Sequence, residues 1–465
     1  VKVRGDSLSQ LMSFLNLIGR RVFFHKFFIP AAFIWASIAP ISLSEGNQMS
    51  CQSSRQGRYP QAYWSSAKSE GNIVSRLRLR GGLEETVIEP EASKDANSSI
   101  STWKRSILIT GGCGFMGSHL VDRLVLKYPQ YLVVVLDVLD ECSSTHHLSK
   151  VKDRPNFIFV HGDIRDSELV SVLMNDYKVD TILHLAAQTS VDHSFKSPSV
   201  FTDVNVVGTQ SLLECSRRAT RLRLFLYCST DEVYGEIKED AATEDCPLRP
   251  TNPYSASKAA AELLVMGYAT SFKLPCIVTR CVNVYGSRQF PEKVIPKFAM
   301  RCKIGQPCCI HGDGQAKRSF IYVEDVAEAF DVVMHQGKAG NVYNIGSKDV
   351  VSVRYIADKI SEAITGSAGL IQNVPDRLYN DCRYALNCSK LEGLGWKQRT
   401  PFEDGLHRTL EWYMENGGEP WASDACDRAL LPHSHLDGRG DLSGVPWSVQ
   451  EMEDVEDVLR SAGVF

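Results

Sequence analysis

At 465 residues with 43% apolar content, the chain can bury a large core, arranged as two or three ordinary domains or as one large domain with extensions. Its net charge of −4 excludes attraction of nucleic acid or an anionic membrane by overall field, so any anionic ligand needs a local site. The 14 cysteines contain no Cys-x-x-Cys pair, which argues against a zinc site or a disulfide framework and for buried thiols in a reducing compartment.

Residues 1–103 differ in texture from the rest of the chain. A basic start leads into an uncharged stretch at 27–43, and residues 49–82 are rich in Ser and Arg and poor in acids. These patterns predict a targeting extension, as in a signal sequence, a marginal signal anchor or an organelle transit segment. From Lys104 the texture is globular. Apolar, β-branched runs at 106–110 and 131–137 flank a helical pattern at 117–127, which reads as a β-α-β unit. Further runs at 157–160, 181–185, 222–228 and 276–280 alternate with helical stretches, predicting an α/β fold with a doubly wound parallel sheet. Residues 104–285, with 321–362 returning, make a dinucleotide-binding domain of the Rossmann type. Residues 286–320 and 363–416 break the rhythm and are expected to form a smaller lobe, with ligand between the two. From 417 the chain is acidic and rich in Gly, Pro and Ser, and it reads as a flexible tail with a helix at 449–459. His433 and His435 there read as solvated side chains, and no metal is expected.

After the first strand comes Thr110-Gly111-Gly112-Cys113-Gly114-Phe115-Met116-Gly117. Gly111 suits the tight turn, Gly114 the approach of a pyrophosphate and Gly117 close helix packing, with phosphate meeting the helix N-terminus. Asp137 ends the second strand, where a carboxylate accepts from ribose hydroxyls and repels a 2′-phosphate. NAD is therefore the expected cofactor, not NADP.

Asn252-Pro253-Tyr254-Ser255-Ala256-Ser257-Lys258 reads as a helix start capped by Asn252, with Tyr254 and Lys258 on one face. A phenol titrates near 10, so Tyr254 serves as a base only when a nearby cation such as Lys258 or an oxidised nicotinamide favours its phenolate. Upstream, Ser229-Thr230-Asp231-Glu232-Val233-Tyr234-Gly235 puts two carboxyl groups at a strand end. Elimination of water next to a carbonyl needs such a base and acid, whereas an epimerase of the same fold does not.

These motifs, with Gln289-Phe290-Pro291-Glu292-Lys293, Tyr322-Val323-Glu324-Asp325, Tyr343-Asn344-Ile345-Gly346 and Asp381-Cys382-Arg383-Tyr384, resemble the dTDP-glucose and UDP-glucose 4,6-dehydratases of the extended short-chain dehydrogenases. The resemblance runs from about residue 104 to 413. It is closest to the dehydratase domain of eukaryotic UDP-rhamnose synthases, through Asp137-Val138-Leu139-Asp140-Glu141-Cys142-Ser143-Ser144. It implies that Thr230 bonds the sugar, Asp231 is the acid at carbon 6, Glu232 the base at carbon 5 and Tyr254 the base at the 4-hydroxyl. Asp163 and Ile164 would line the adenine, and Leu185, Ala186 and Ala187 the ribose. Asn283, Lys293, Arg318 and Arg377 would contact nucleotide and diphosphate, for which arginine forks are suited. Val282 and Ser287 depart from the family pattern. The resemblance further implies a homodimer, a separate downstream epimerase and reductase, and a cytoplasmic location, with plastid or endomembrane as the alternative. A 4-epimerase, a UDP-glucuronate decarboxylase and a non-catalytic NAD sensor are the rival readings.

Overall fold

The computed structural model describes residues 63–69, 72–78, 103–236, 241–374 and 386–431. The rest of the expected targeting extension, the expected helix at 449–459, His433 and His435 lie outside them. The chain divides into two units, Val1–Glu91 and Ala92–Phe465. In the first, Tyr63–Ser69 and Asn72–Arg78 pair as an antiparallel hairpin.

The second unit is built on seven parallel strands: β1 Arg105–Thr110, β2 Tyr131–Asp137, β3 Phe157–His161, β4 Thr181–His184, β5 Leu224–Thr230, β6 Cys276–Cys281 and β7 Val342–Ile345. Their order across the sheet is β7-β6-β5-β4-β1-β2-β3. Strand order reverses between β1 and β4, which opens a crevice beyond their carboxyl ends. Two-residue alternation divides each strand between two cores. Ile107, Ile109, Val133 and Val135 pack on one face with Leu120, Val121 and Leu124 of α1 (Phe115–Lys127) and with Phe330 and Val333. Leu108, Val134, Ile182 and Phe225 pack on the other with α2 (Ser167–Asp176), α3 (Gly208–Arg218) and α4 (Pro253–Phe272). Helices cover both faces, so β2 is buried along its whole length.

A smaller lobe has its own core, including Tyr285, Phe298, Phe320, Ile356, Phe402 and Tyr413. Its sheets are Val350–Ser352, Lys317–Tyr322 and Asn283–Tyr285 in that order, and Cys308–His311 beside Ile371–Val374. Two boundaries differ from the sequence reading. The helix Val353–Thr365 packs into the lobe through Ile356, Ala357 and Ile360 instead of returning to the large sheet. Residues 417–431 are folded, unlike the expected tail: Trp421, Ala425, Cys426 and Leu430 enter the lobe core from the helix Ser423–Leu430 and the turn before it. The few apolar residues beyond Asn416 have no period long enough to read in sequence. Among the described residues no helix is long and apolar enough to cross a membrane.

Asp331, on the helix Val323–Gln336, clamps that helix to α1. It accepts from Arg123 Nε at 2.8 Å, Lys127 Nζ at 2.8 Å and Tyr128 Oη at 2.9 Å, and His335 Nδ1 lies 3.0 Å away. Burial by itself raises a carboxyl pKa, but the bonds from His335, Lys127 and Arg123 prevail and hold Asp331 well below the usual range. A depressed folded pKa stabilises the fold above the unfolded value near ~3.9, and the stabilisation is lost as pH falls through the folded one. Asp331→Asn is expected to lower the melting temperature at pH 7 by about 4 °C or more. The gap to wild type should begin to narrow below about pH 4 and close only as pH falls through the depressed folded pKa, as followed by circular dichroism.

Candidate active site

The loop after β1 is shaped by contacts that allow no side chain at two of its glycines. Gly111 has φ +72°, and a Cβ there would lie 2.7 Å from the Ala186 nitrogen. One on Gly117 would lie 2.1 Å from the Gly111 oxygen. At Gly114 the protein leaves more room, its nearest neighbour being the Gly111 oxygen at 3.3 Å, so the open side faces outward from the packing. Helix α1 starts at Phe115, two residues earlier than the periodicity indicates, because Gly114 serves as its N-cap without a side-chain bond. The amides of Phe115, Met116 and Gly117 thus begin the helix with no side-chain acceptor capping them, a suitable cradle for phosphate.

Asp137 is buried at the end of β2. Its Oδ2 accepts from Cys113 N–H at 2.8 Å and its Oδ1 from Leu139 N–H at 2.9 Å, which aims the carboxylate along the rim of the loop. Leu185 N–H donates to the Thr110 oxygen at 3.1 Å and Ala186 N–H to Thr110 Oγ1 at 3.3 Å, so the chain entering Ala187 lies against the same loop. Asp163 follows β3 and pairs with Arg165 at 2.6 Å, with Ile164 buried beside it.

Strand β5 runs to Thr230, two residues further than expected, and turns at once into a 3₁₀ helix, Asp231–Tyr234. Thr230 Oγ1 caps that helix by accepting from Glu232 N–H at 3.2 Å and donates to Asp231 Oδ1 at 3.2 Å. Helix α4 starts with the expected Asn252 cap, strengthened by a reciprocal bond with Ser255. Asn252 Nδ2 also donates to Glu232 Oε2 at 3.2 Å, tying the acid pair to the helix that carries Tyr254 and Lys258. Tyr254 is buried. Burial first, then the charge of Glu232, pushes its phenol well above 10, and a hydrogen bond with Thr230 draws it back. Lys258 donates from Nζ to the Cys228 oxygen at 2.7 Å and lies 4.4 Å from the Tyr227 ring centroid, while burial lowers its pKa. Two carboxyl groups and a buried phenol at one strand end can take a proton from a hydroxyl, take another from carbon and give one to a leaving group.

The profile of the GDP-mannose 4,6 dehydratase family matches residues 108–409, which span these elements. The chain belongs to the GDP-mannose 4,6 dehydratase family. It is 49% identical over 342 residues to a trifunctional UDP-glucose 4,6-dehydratase/UDP-4-keto-6-deoxy-D-glucose 3,5-epimerase/UDP-4-keto-L-rhamnose-reductase of Arabidopsis thaliana, covering 72% of this chain and 51% of the plant protein. The chain thus spans about half the length of these plant relatives. It is 44% identical over 321 residues to the dTDP-D-glucose 4,6-dehydratase of Bos taurus, covering 68% of this chain and 90% of the other. Among solved structures it resembles the dTDP-glucose 4,6-dehydratase from Streptomyces venezuelae with NAD and TYD bound, at TM-score 0.66 and 38% identity over 69% of this chain and 99% of that one.

Three of the four residues expected to contact substrate fall among the described residues of this dehydratase-family chain. Lys293 Nζ donates to the Thr189 oxygen at 2.9 Å and pairs with Glu292 at 3.2 Å, bridging the lobe to the loop after β4. Burial opposes its charge, but Glu292 and then Glu232 raise its pKa. Asn283 and Arg318 lie on adjacent lobe strands, Asn283 opposite Phe320 and donating to the Ser319 oxygen at 3.2 Å. Arg377 and the Asp381-Cys382-Arg383-Tyr384 motif lie outside the described residues.

Two groups escaped the sequence reading. Asn205, in a π-helical turn, accepts from Gln188 N–H at 2.8 Å and donates to the Gln188 oxygen at 3.0 Å and to Ser257 Oγ at 2.9 Å, linking the loop after β4 to α4. Arg280 of β6 donates to Glu262 of α4 and to Tyr234 Oη, joining the helix of Tyr254 to that of the acid pair. A lone Asn in a polar stretch and an Arg inside an apolar run carry no spacing signal.

Proposed function

We propose that the chain removes water from a nucleoside-diphosphate glucose, UDP-glucose or dTDP-glucose, and leaves the 4-keto-6-deoxy sugar nucleotide. The observation that carries this reading is the Asp231-Glu232 pair at the end of β5, bonded through Asn252 to the helix of Tyr254. The cradle at Gly114 and the Asp137 rim would hold NAD, which would supply the hydride acceptor for carbon 4 and the donor for carbon 6. Tyr254 takes the proton of the 4-hydroxyl, and Thr230, bonded to it, orients that hydroxyl. The resulting ketone acidifies carbon 5, where Glu232 removes the proton, and Asp231 protonates the hydroxyl leaving carbon 6. Lys258 donates to the Cys228 carbonyl and so ties α4 to β5. Lys293, Asn283, Arg318 and Arg377 hold the diphosphate and nucleotide.

Substrate carrying deuterium at carbon 4 is expected to yield product labelled at carbon 6, read by NMR. An epimerase returns the label to carbon 4, a decarboxylase loses carbon dioxide, and an NAD sensor gives no product, so each rival has its own outcome. Separate assays with UDP-glucose and dTDP-glucose assign the base. NAD is expected to bind more tightly than NADP by about 10²-fold, since a 2′-phosphate would meet the Asp137 carboxylate. Equal affinities in calorimetry would remove Asp137 from the ribose. A homodimer fits the exposed Val207 of the π-helical turn and Leu263 of the adjoining α4, and light scattering tests it. The 4-keto-6-deoxy product is a substrate for epimerase and reductase steps downstream, with the cytoplasm as the expected compartment.

A further inference from the structure

Cys113 lies at the centre of the glycine-rich loop, and three bonds orient the two peptides that flank it. Its N–H donates to Asp137 Oδ2 at 2.8 Å, while its carbonyl accepts from Ser144 N–H at 3.1 Å and from His147 Nδ1 at 2.8 Å. A carbonyl only accepts, so the His147 ring carries its proton on Nδ1. The far end of the same peptide is Gly114 N–H, which donates to the Gly111 oxygen at 3.2 Å. The imidazole therefore sets the tilt of the peptide that immediately precedes the open amides of α1.

His147 is itself held from the lobe. Its ring is 3% exposed and meets Trp421 edge to face, with centroids 5.5 Å apart and planes at 74°. Trp421 is wedged between Phe290 at 5.8 Å and Trp412 at 6.0 Å, both in the lobe. A second clip runs alongside. Arg288, held at φ +67°, pairs with Asp122 of α1 at 2.7 Å, and His119 of α1 lies 3.1 Å from the Ser287 oxygen. The departure at Ser287 from the family pattern thus falls in the segment that touches α1. Burial, opposed by the bond to Cys113 and aided by the Arg288 charge, pushes His147 down to about 4, so the ring stays neutral near pH 7. None of these contacts involves Asp231, Glu232 or Tyr254.

We infer that His147 is a positioning residue through which the lobe, by way of Trp421, sets the conformation of the dinucleotide loop and so the affinity for NAD. The inference rests on the reading of that loop as the NAD site. The packing of residues 417–431 thereby reaches the cofactor through one ring and one hydrogen bond.

The test is calorimetric titration of NAD into the full chain, with the melting temperature of the NAD-free protein measured alongside. His147→Phe keeps apolar bulk against Trp421 but has no donor, and it is expected to weaken NAD about tenfold. His147→Asn places its Nδ2 where Nδ1 was while leaving a cavity beside Trp421. It should bind NAD within about twofold of wild type although it melts at the lower temperature of the two variants. Trp421→Leu, outside the loop, should weaken NAD about threefold. Affinity that follows melting temperature instead, weaker in Asn than in Phe, would show a purely structural role and overturn the inference. Unchanged affinity in His147→Phe does the same. If the wild type takes up no NAD, the dinucleotide reading itself fails.

Discussion

With Glu232 replaced by Gln, loss of water from the sugar is expected to slow by about 10²-fold or more while oxidation at carbon 4 persists. Glutamine keeps a carbonyl oxygen to accept from Asn252, so the local fold should survive with only the proposed base removed. The electrostatics give this variant a second signature. The Glu232 charge is one of the groups that raise the Tyr254 phenol, after burial, so removing it lowers that pKa and moves the rising limb of the oxidation rate to lower pH. Rapid quench and mass spectrometry should therefore find a 4-keto sugar nucleotide that still carries its 6-hydroxyl. Asp231→Asn, which keeps an acceptor for Thr230, should slow departure of the hydroxyl by a similar factor. Tyr254→Phe should stop both stages, because it removes the proton acceptor at the first. Unchanged turnover in both carboxyl variants would make the pair ordinary loop chemistry and leave the proposed reaction without its acid and base.

The next largest effect is expected away from the reacting groups, at the buried ion pair between β6 and α4. Arg280 Nε lies 3.0 Å from Glu262 Oε1, and both side chains are at most 5% exposed. Arg280 Nη1 also donates to Tyr234 Oη at 2.6 Å and to the Glu244 oxygen at 3.0 Å, and Tyr234 Oη donates to Asn344 Oδ1 at 2.8 Å. Glu262→Ala leaves a buried guanidinium without its carboxylate and is expected to cost about 3–5 kcal/mol in denaturant unfolding. Replacing both partners, Arg280→Leu with Glu262→Met, removes the unpaired charge and should restore most of that stability. Turnover should not recover with it, because Tyr234 ends the 3₁₀ helix that begins at Asp231 and loses its tie to α4. Recovery of both together would mean that the network holds the fold and has no part in placing the acid pair.

Local pattern and local chemistry determined much of this protein. Strand β2 matches the apolar run at 131–137 residue for residue, since a strand buried on both faces leaves an uninterrupted apolar signature. The cap at Asn252 and the glycine spacing are likewise set by backbone geometry within a few residues. What the fold alone decided are contacts between residues far apart in the chain. The glycine loop meets His147 and Asp137, Arg280 finds Glu262 and Tyr234, and Trp421 closes on the lobe where composition suggested a tail. The ionisation of Tyr254 was out of reach for the same reason. Burial and then the Glu232 charge raise that phenol, and neither distance nor desolvation has a period in sequence.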